Sequence, residues 1–88
     1  MRVTNLIGSK GKPAANQFLL TDGSTEIFQS YKSIIAKIQN GKVTLDDHYW
    51  DYSKTTLKFL KIFLDTTESK KQIQKKIDLG EYLTADLN

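Results

Sequence analysis

The chain has no cysteine in 88 residues, and this constrains its fold more than any motif does. A domain of this length buries only about 60–65% of the surface its unfolded chain exposes, and domains below about 40 residues usually lean on disulfides, metals or association. Disulfides and thiolate zinc sites are excluded here, and a lone His48 removes multi-histidine sites. The fold must rest on an apolar core, or on association with a second copy as a homodimer. With 39% apolar residues, one Trp, four Tyr and four Phe, a folded single domain over 1–88 is the better reading than disorder. No apolar run approaches the roughly 20 residues that cross a bilayer. The start MRVTNLIGSK lacks the apolar stretch of a signal peptide, so a cytoplasmic location without membrane contact is expected.

Turn and cap chemistry divides the chain. Arg2 to Ile7 reads as a first strand, and Gly8-Ser9-Lys10-Gly11-Lys12-Pro13 as a loop. Asn16–Leu20 and Thr25–Gln29 are short β-type runs around Asp22-Gly23, which predicts a hairpin between strands near 16–21 and 24–29. Ser30 reads as an N-cap for a helix over Tyr31–Gln39, because Tyr31, Ile34, Ile35 and Ile38 share one face at helical spacing. Asn40-Gly41 would end that helix, and Lys42–Leu45 would form a strand. Ser53 caps a helix to about Asp65, with Leu57, Phe59, Leu60, Phe63 and Leu64 on a wide apolar face. A third helix begins at Thr66 or Thr67 and runs to Leu79, closed by Gly80; its stripe of Ile73 and Ile77 places it peripherally. Glu81–Leu87 would close the chain as a strand. The fold class expected is α+β: a small antiparallel sheet, made of a hairpin and short strands, against about three helices. Trp50, Leu57, Leu60, Phe63 and Leu64 would share its core with Ile34 and Ile38.

Enzyme chemistry finds little support. Gly8-Ser9-Lys10-Gly11-Lys12 departs from phosphate-loop spacing and lacks the hydroxyl after the lysine. Asp46, Asp47, Asp51 and His48 carry hard-cation chemistry, but their segment lacks the glycine and distal glutamate of a calcium loop. No catalytic residue, metal or cofactor is therefore expected. Binding has stronger signals. Asp47, Tyr49 and Tyr52 lie in an aromatic, part-acidic stretch typical of protein-binding hot spots, although Trp50 and one tyrosine also suit the core and Asp46 or Asp47 suits a turn cap. The net charge is +3, and seven lysines fall in residues 54–76. Lys54, Lys58 and Lys61 share one helical face, and Lys70, Lys71 and Lys75 follow. Such a stripe also suits a merely solvated helix face. Lysine without arginine favours phosphate attraction over base reading, so any nucleic-acid binding would be weak and salt-sensitive.

The strings FQSYKSIIAKI (28–38), GKVTLDDHYWDYSKTT (41–56) and KKIDLGEYLTADLN (75–88), with NLIGSKG and ANQF nearer the start, cover nearly the whole chain. In them the sequence resembles a family of small uncharacterised proteins encoded by phages, prophages and mobile elements of Gram-positive bacteria. It departs at Leu57-Lys58-Phe59-Leu60, where the relatives are more basic and polar. No site residue carries over. The resemblance implies a stoichiometric, non-enzymatic inhibitor of a host defence or nucleic-acid enzyme, such as a CRISPR nuclease, in the manner of anti-CRISPR proteins and in the cytoplasm of a host bacterial cell. The alternative is a nucleic-acid-binding accessory protein using the lysine-rich helices.

Overall fold

In a computed structural model, which describes residues 1–8 and 10–88, turn chemistry produces a run of hairpins. Strands β1 (Arg2–Ile7), β2 (Pro13–Asp22), β3 (Thr25–Ser30), β4 (Ser33–Gln39) and β5 (Lys42–Asp46) lie in sequence order. Each is antiparallel to the next. Helices α1 (Lys54–Leu64) and α2 (Lys70–Asp78) follow, and β6 (Leu83–Ala85) returns parallel to β5. The result is a six-stranded mixed sheet with two helices, which corrects the expectation of a small antiparallel sheet against three helices.

The missing helix is β4. Phe28 pairs with Ala36 and Gln29 with Ile34, so Ile35 is an extra residue in the strand. This bulge lets Ile35 and Ala36 both face the core, where both are buried. Apolar residues at 34, 35 and 38 therefore imitate helical spacing while lying in a bent strand. Ser30 caps nothing; it is the last residue of β3 and is buried. Asn40-Gly41 is not a helix end but the two-residue loop between Gln39 and Lys42. Its φ values of 51 and 78 are the paired positive values of a type I′ hairpin turn. The expected hairpin at Asp22-Gly23 is present, with Asp22 paired to Thr25 across Gly23-Ser24. Of the expected Gly8–Pro13 loop, Ser9 lies outside the described residues, and Pro13 already belongs to β2.

The long helix forms as its sequence predicts. Ser53 accepts from the Thr56 N–H at 3.1 Å, and Asp65, at φ 54, closes the C-terminus. Thr56, Phe59, Leu60 and Phe63 are buried at helical spacing, and the helix lies across β1, β3 and β4. The Phe63 ring meets Phe28 at 5.9 Å between centroids. Trp50 joins this core; Leu57, Leu64 and Ile38 pack at its margin, and the strand residue contributed is Ile35 rather than the expected Ile34. The next helix starts later than expected, because Ser69 and Gln72 form a capping box. It lies peripherally, as its narrow stripe implies, with Ile73 buried and Ile77 packed at the margin of the core.

Candidate functional site

A buried carboxylate organises the strap between β5 and α1. Asp46 Oδ2 accepts from the N–H groups of His48 at 3.1 Å and Tyr49 at 2.9 Å. Its Oδ1 accepts from the Leu87 N–H at 2.8 Å and the Asn88 amide at 3.0 Å. Burial opposes ionisation of this group, but the bonds from Leu87, Tyr49, Asn88 and His48 outweigh it and hold the carboxyl below its ordinary range. Asp46 is 1% exposed and is fully engaged as an acceptor. Its role is to fold the chain back so that Tyr49 and Tyr52 stand edge to face, 5.6 Å apart.

Opposite this strap lies the β3–β4 turn. Tyr31 has φ 54, a left-handed conformation that costs an ordinary L-residue roughly 1–2 kcal/mol. Its backbone is fixed on both sides: the N–H donates to the Asn16 carbonyl at 2.7 Å, and the carbonyl accepts from Gln29 Nε2 at 2.8 Å. Between turn and strap opens a cleft of about 330 Å³. Tyr31, Tyr49 and Tyr52 supply aromatic walls, Ser30, Ser33, Ser53 and Thr56 supply hydroxyls, and Ile35 supplies an apolar wall. Tyr31 is 63% exposed and Tyr52 72%. One cross-strand step from Ser30 stands Gln17, whose buried Oε1 has no hydrogen-bond partner among the described residues. The cleft offers stacking faces and neutral donors and acceptors, which suit recognition of a polar, uncharged surface.

The residues singled out from sequence do not form one site. Tyr49 and Tyr52 line the cleft. Asp47 is exposed outside it, its N–H donating to the Ala85 carbonyl at 2.9 Å. Lys54 and Lys58 are exposed on α1 and Lys61 half-buried. Lys61 borders a separate depression that includes Asp65. Lys70 pairs with Asp51 at 3.4 Å, whereas Lys71 and Lys75 are exposed on α2. Lys58 instead meets Lys10 and Lys12 around a cleft of about 320 Å³ floored by Phe59 and Ala14. Sequence reasoning missed Tyr31, Gln17 and the approach of Lys58 to the lysines of the β1–β2 loop. Tyr31 could have been found by reading Ser30-Tyr31-Lys32-Ser33 as a two-residue turn.

Among the described residues, no three Asp, Glu or His side chains converge to hold a metal ion, and no helix is long and apolar enough to cross a membrane. No curated protein and no solved structure matches the chain. One family model does, over residues 1–80. The chain thus belongs to a family of unknown function, DUF8033.

Proposed function

We propose that the protein is a non-enzymatic binding module that acts by stoichiometric protein binding through the tyrosine cleft. The observation that carries this reading is Tyr31: a large aromatic, mostly exposed, held in an unfavourable backbone conformation beside a hydroxyl-lined cleft. Backbone strain persists where the surroundings over-determine it, and it clusters at functional sites. Exposed tyrosines framing a cleft are also the anchors that dominate protein interfaces. The finer reading is inhibition of a host defence or nucleic-acid enzyme in the bacterial cytoplasm. It rests on the resemblance to phage and mobile-element proteins. A photo-crosslinking residue at Tyr52 would identify the partner, with Glu81 as the control position. Tyr31→Ala and Tyr52→Ala should then each weaken the complex at least about tenfold, as hot-spot truncations do. Unchanged affinity in both would remove the cleft from the interface.

A second reading, nucleic-acid attachment, is favoured by the convergence of Lys10, Lys12 and Lys58 on one cleft. Three ammonium groups attract phosphate without reading bases. Fluorescence anisotropy with generic DNA and RNA at low and physiological salt tests it. Absence of binding at low salt would dismiss it.

A further inference from the structure

The sheet has a second face, and the helices leave it bare. Paired residues in neighbouring strands point to the same side, and successive residues alternate. Leu19, Phe28, Ala36 and Leu45 form one cross-strand row, and all four belong to or pack on the core. Val3, Leu20 and Ile27 form the next row, one residue out of phase. Phe18 and Ile34 lie beside that row, linked through Gln29. None of these five is among the apolar residues that pack on the core. Val3 is 59% exposed, and Leu83 at the far end of the same row is 49% exposed.

We propose that this face is a dimer interface, closed by a second copy of the chain packed sheet to sheet. Two observations favour a second copy. One is area. Six strands about 4.8 Å apart and about six residues long offer roughly 600 Å² in projection, so two faces bury about 1,200 Å², the lower limit of stable interfaces. The other is charge. Asp22 on β2 and Lys42 on β5 share the row Asp22–Thr25–Gln39–Lys42. A two-fold axis parallel to the strands between β3 and β4 lays β2 of one copy over β5 of the other. Asp22 then meets the partner copy's lysine, twice, and the same operation sets Val3 over Leu83 and Ile27 over the aliphatic stem of Lys37. The roughly 30° rotation between packed sheets displaces these residues by about 5 Å, one strand spacing, so Asp22 and the partner copy's lysine attract at longer range rather than as a direct pair. Self-complementarity of this kind is what a two-fold interface requires. The tyrosine cleft opens on the helix-covered side, so this interface leaves it accessible.

Sedimentation equilibrium across a concentration series tests the proposal. The 88-residue protein should rise from the mass of one chain to that of two, with a dissociation constant on the order of micromolar for so small an interface. Ile27→Lys should remain monomeric with an unchanged circular dichroism spectrum. Because a lysine in a central strand can itself impair folding, a charge swap at the rim provides the second measurement. Asp22→Lys and Lys42→Asp should each weaken the dimer about fivefold or more at low salt, and the double variant should recover it. A protein that stays monomeric to about 500 µM overturns the proposal and leaves the face to a different partner. A dimer indifferent to all these changes overturns it too, because the copies then meet elsewhere.

Discussion

The Tyr31 N–H donates to the Asn16 carbonyl at 2.7 Å, and both residues have positive φ, 54 and 62. Asn16 reaches that conformation where β2 bulges away from β1, between the pairs Ile7–Pro13 and Asn5–Phe18. Asparagine tolerates it, whereas an aromatic residue seldom does. The bulge in one strand therefore holds a strained turn in another, and the turn presents Tyr31 at the cleft. Tyr31→Asn should relieve strain, leaving stability unchanged or raised by up to about 1 kcal/mol. Partner affinity should fall at least about tenfold. Thermal melts of the variant beside binding measurements would show the two effects moving apart.

Asp46 makes the second testable relationship. Asp46→Ala removes four acceptor contacts to exposed or half-buried donors that water can partly satisfy, and should destabilise by about 2–5 kcal/mol. The pH dependence follows from the sign of its shift. The folded-state carboxyl sits below its ordinary value, so the unfolded chain takes up its proton first as pH falls. Its contribution is complete above about pH 4 and is lost as pH drops through the lowered folded value. Glu68 is also lowered, chiefly by the bond from Lys76, and acts in the same direction. Denaturant melts of Asp46→Asn between neutral pH and pH 2–3 should show a flatter acid limb than the parent.

Leu60 is fully buried on α1, among the residues that join the helix to the sheet. Leu60→Ala should cost about 2–5 kcal/mol, a large part of the 5–15 kcal/mol available to a small domain. A urea titration at 25 °C measures it. A melt matching the parent would mean that α1 is not the central helix.

These positions mark how far sequence reading reaches. Elements governed by local chemistry are legible: the Ser53 cap and the apolar face of α1, and the hairpin at Asp22–Thr25. The failure at β4 has one physical cause. Its bulge at Ile35 breaks the two-residue alternation that identifies a strand, and Asn40-Gly41 serves either a helix end or a type I′ hairpin with equal chemistry. Taking that dipeptide first as a hairpin signal would have turned residues 33–39 into a strand. Such a strand would have put Ser30, Ser33 and Ile35 on the sheet beside the tyrosines.

The candidate site was half legible for a related reason. Tyr49 and Tyr52 stand in one short aromatic run, and composition alone draws attention to them. Tyr31 lies 18 residues before Tyr49 and reaches the same cleft only through the bulges in β2 and β4. The trio of Lys10, Lys12 and Lys58 brings the β1–β2 loop to α1 across the sheet, a long-range contact that no local pattern encodes. Asp46 or Asp47 reads from sequence as a turn cap, and Asp46 is one, accepting from the His48 and Tyr49 N–H groups. Its bonds to Leu87 and Asn88, more than 40 residues away in sequence, show it to be an internal anchor.

The lysine face of α1 gives the last prediction. Lys54 and Lys58 are exposed and Lys61 is half-buried, with no buried salt bridge among them, so their charges act outward. Lys58→Glu alone would place an acid in the cleft that Lys10 and Lys12 also line, whereas the triple change Lys54→Glu, Lys58→Glu and Lys61→Glu reverses the whole face and takes the net charge from +3 to −3. Folding should be nearly unaffected, because exposed charges contribute little to stability and the buried face of Thr56, Phe59, Leu60 and Phe63 is untouched. Association is the sensitive quantity. If the lysines attract an acidic protein surface, the triple variant should bind with a slower on-rate at low salt and approach the parent at physiological salt. If they bind phosphate, Lys58→Glu alone should reproduce most of the loss, and the salt dependence of binding should become shallower. Equal on-rates for parent and triple variant at both salt concentrations would reduce the face to a solvated surface and leave recognition to Tyr31 and Tyr52.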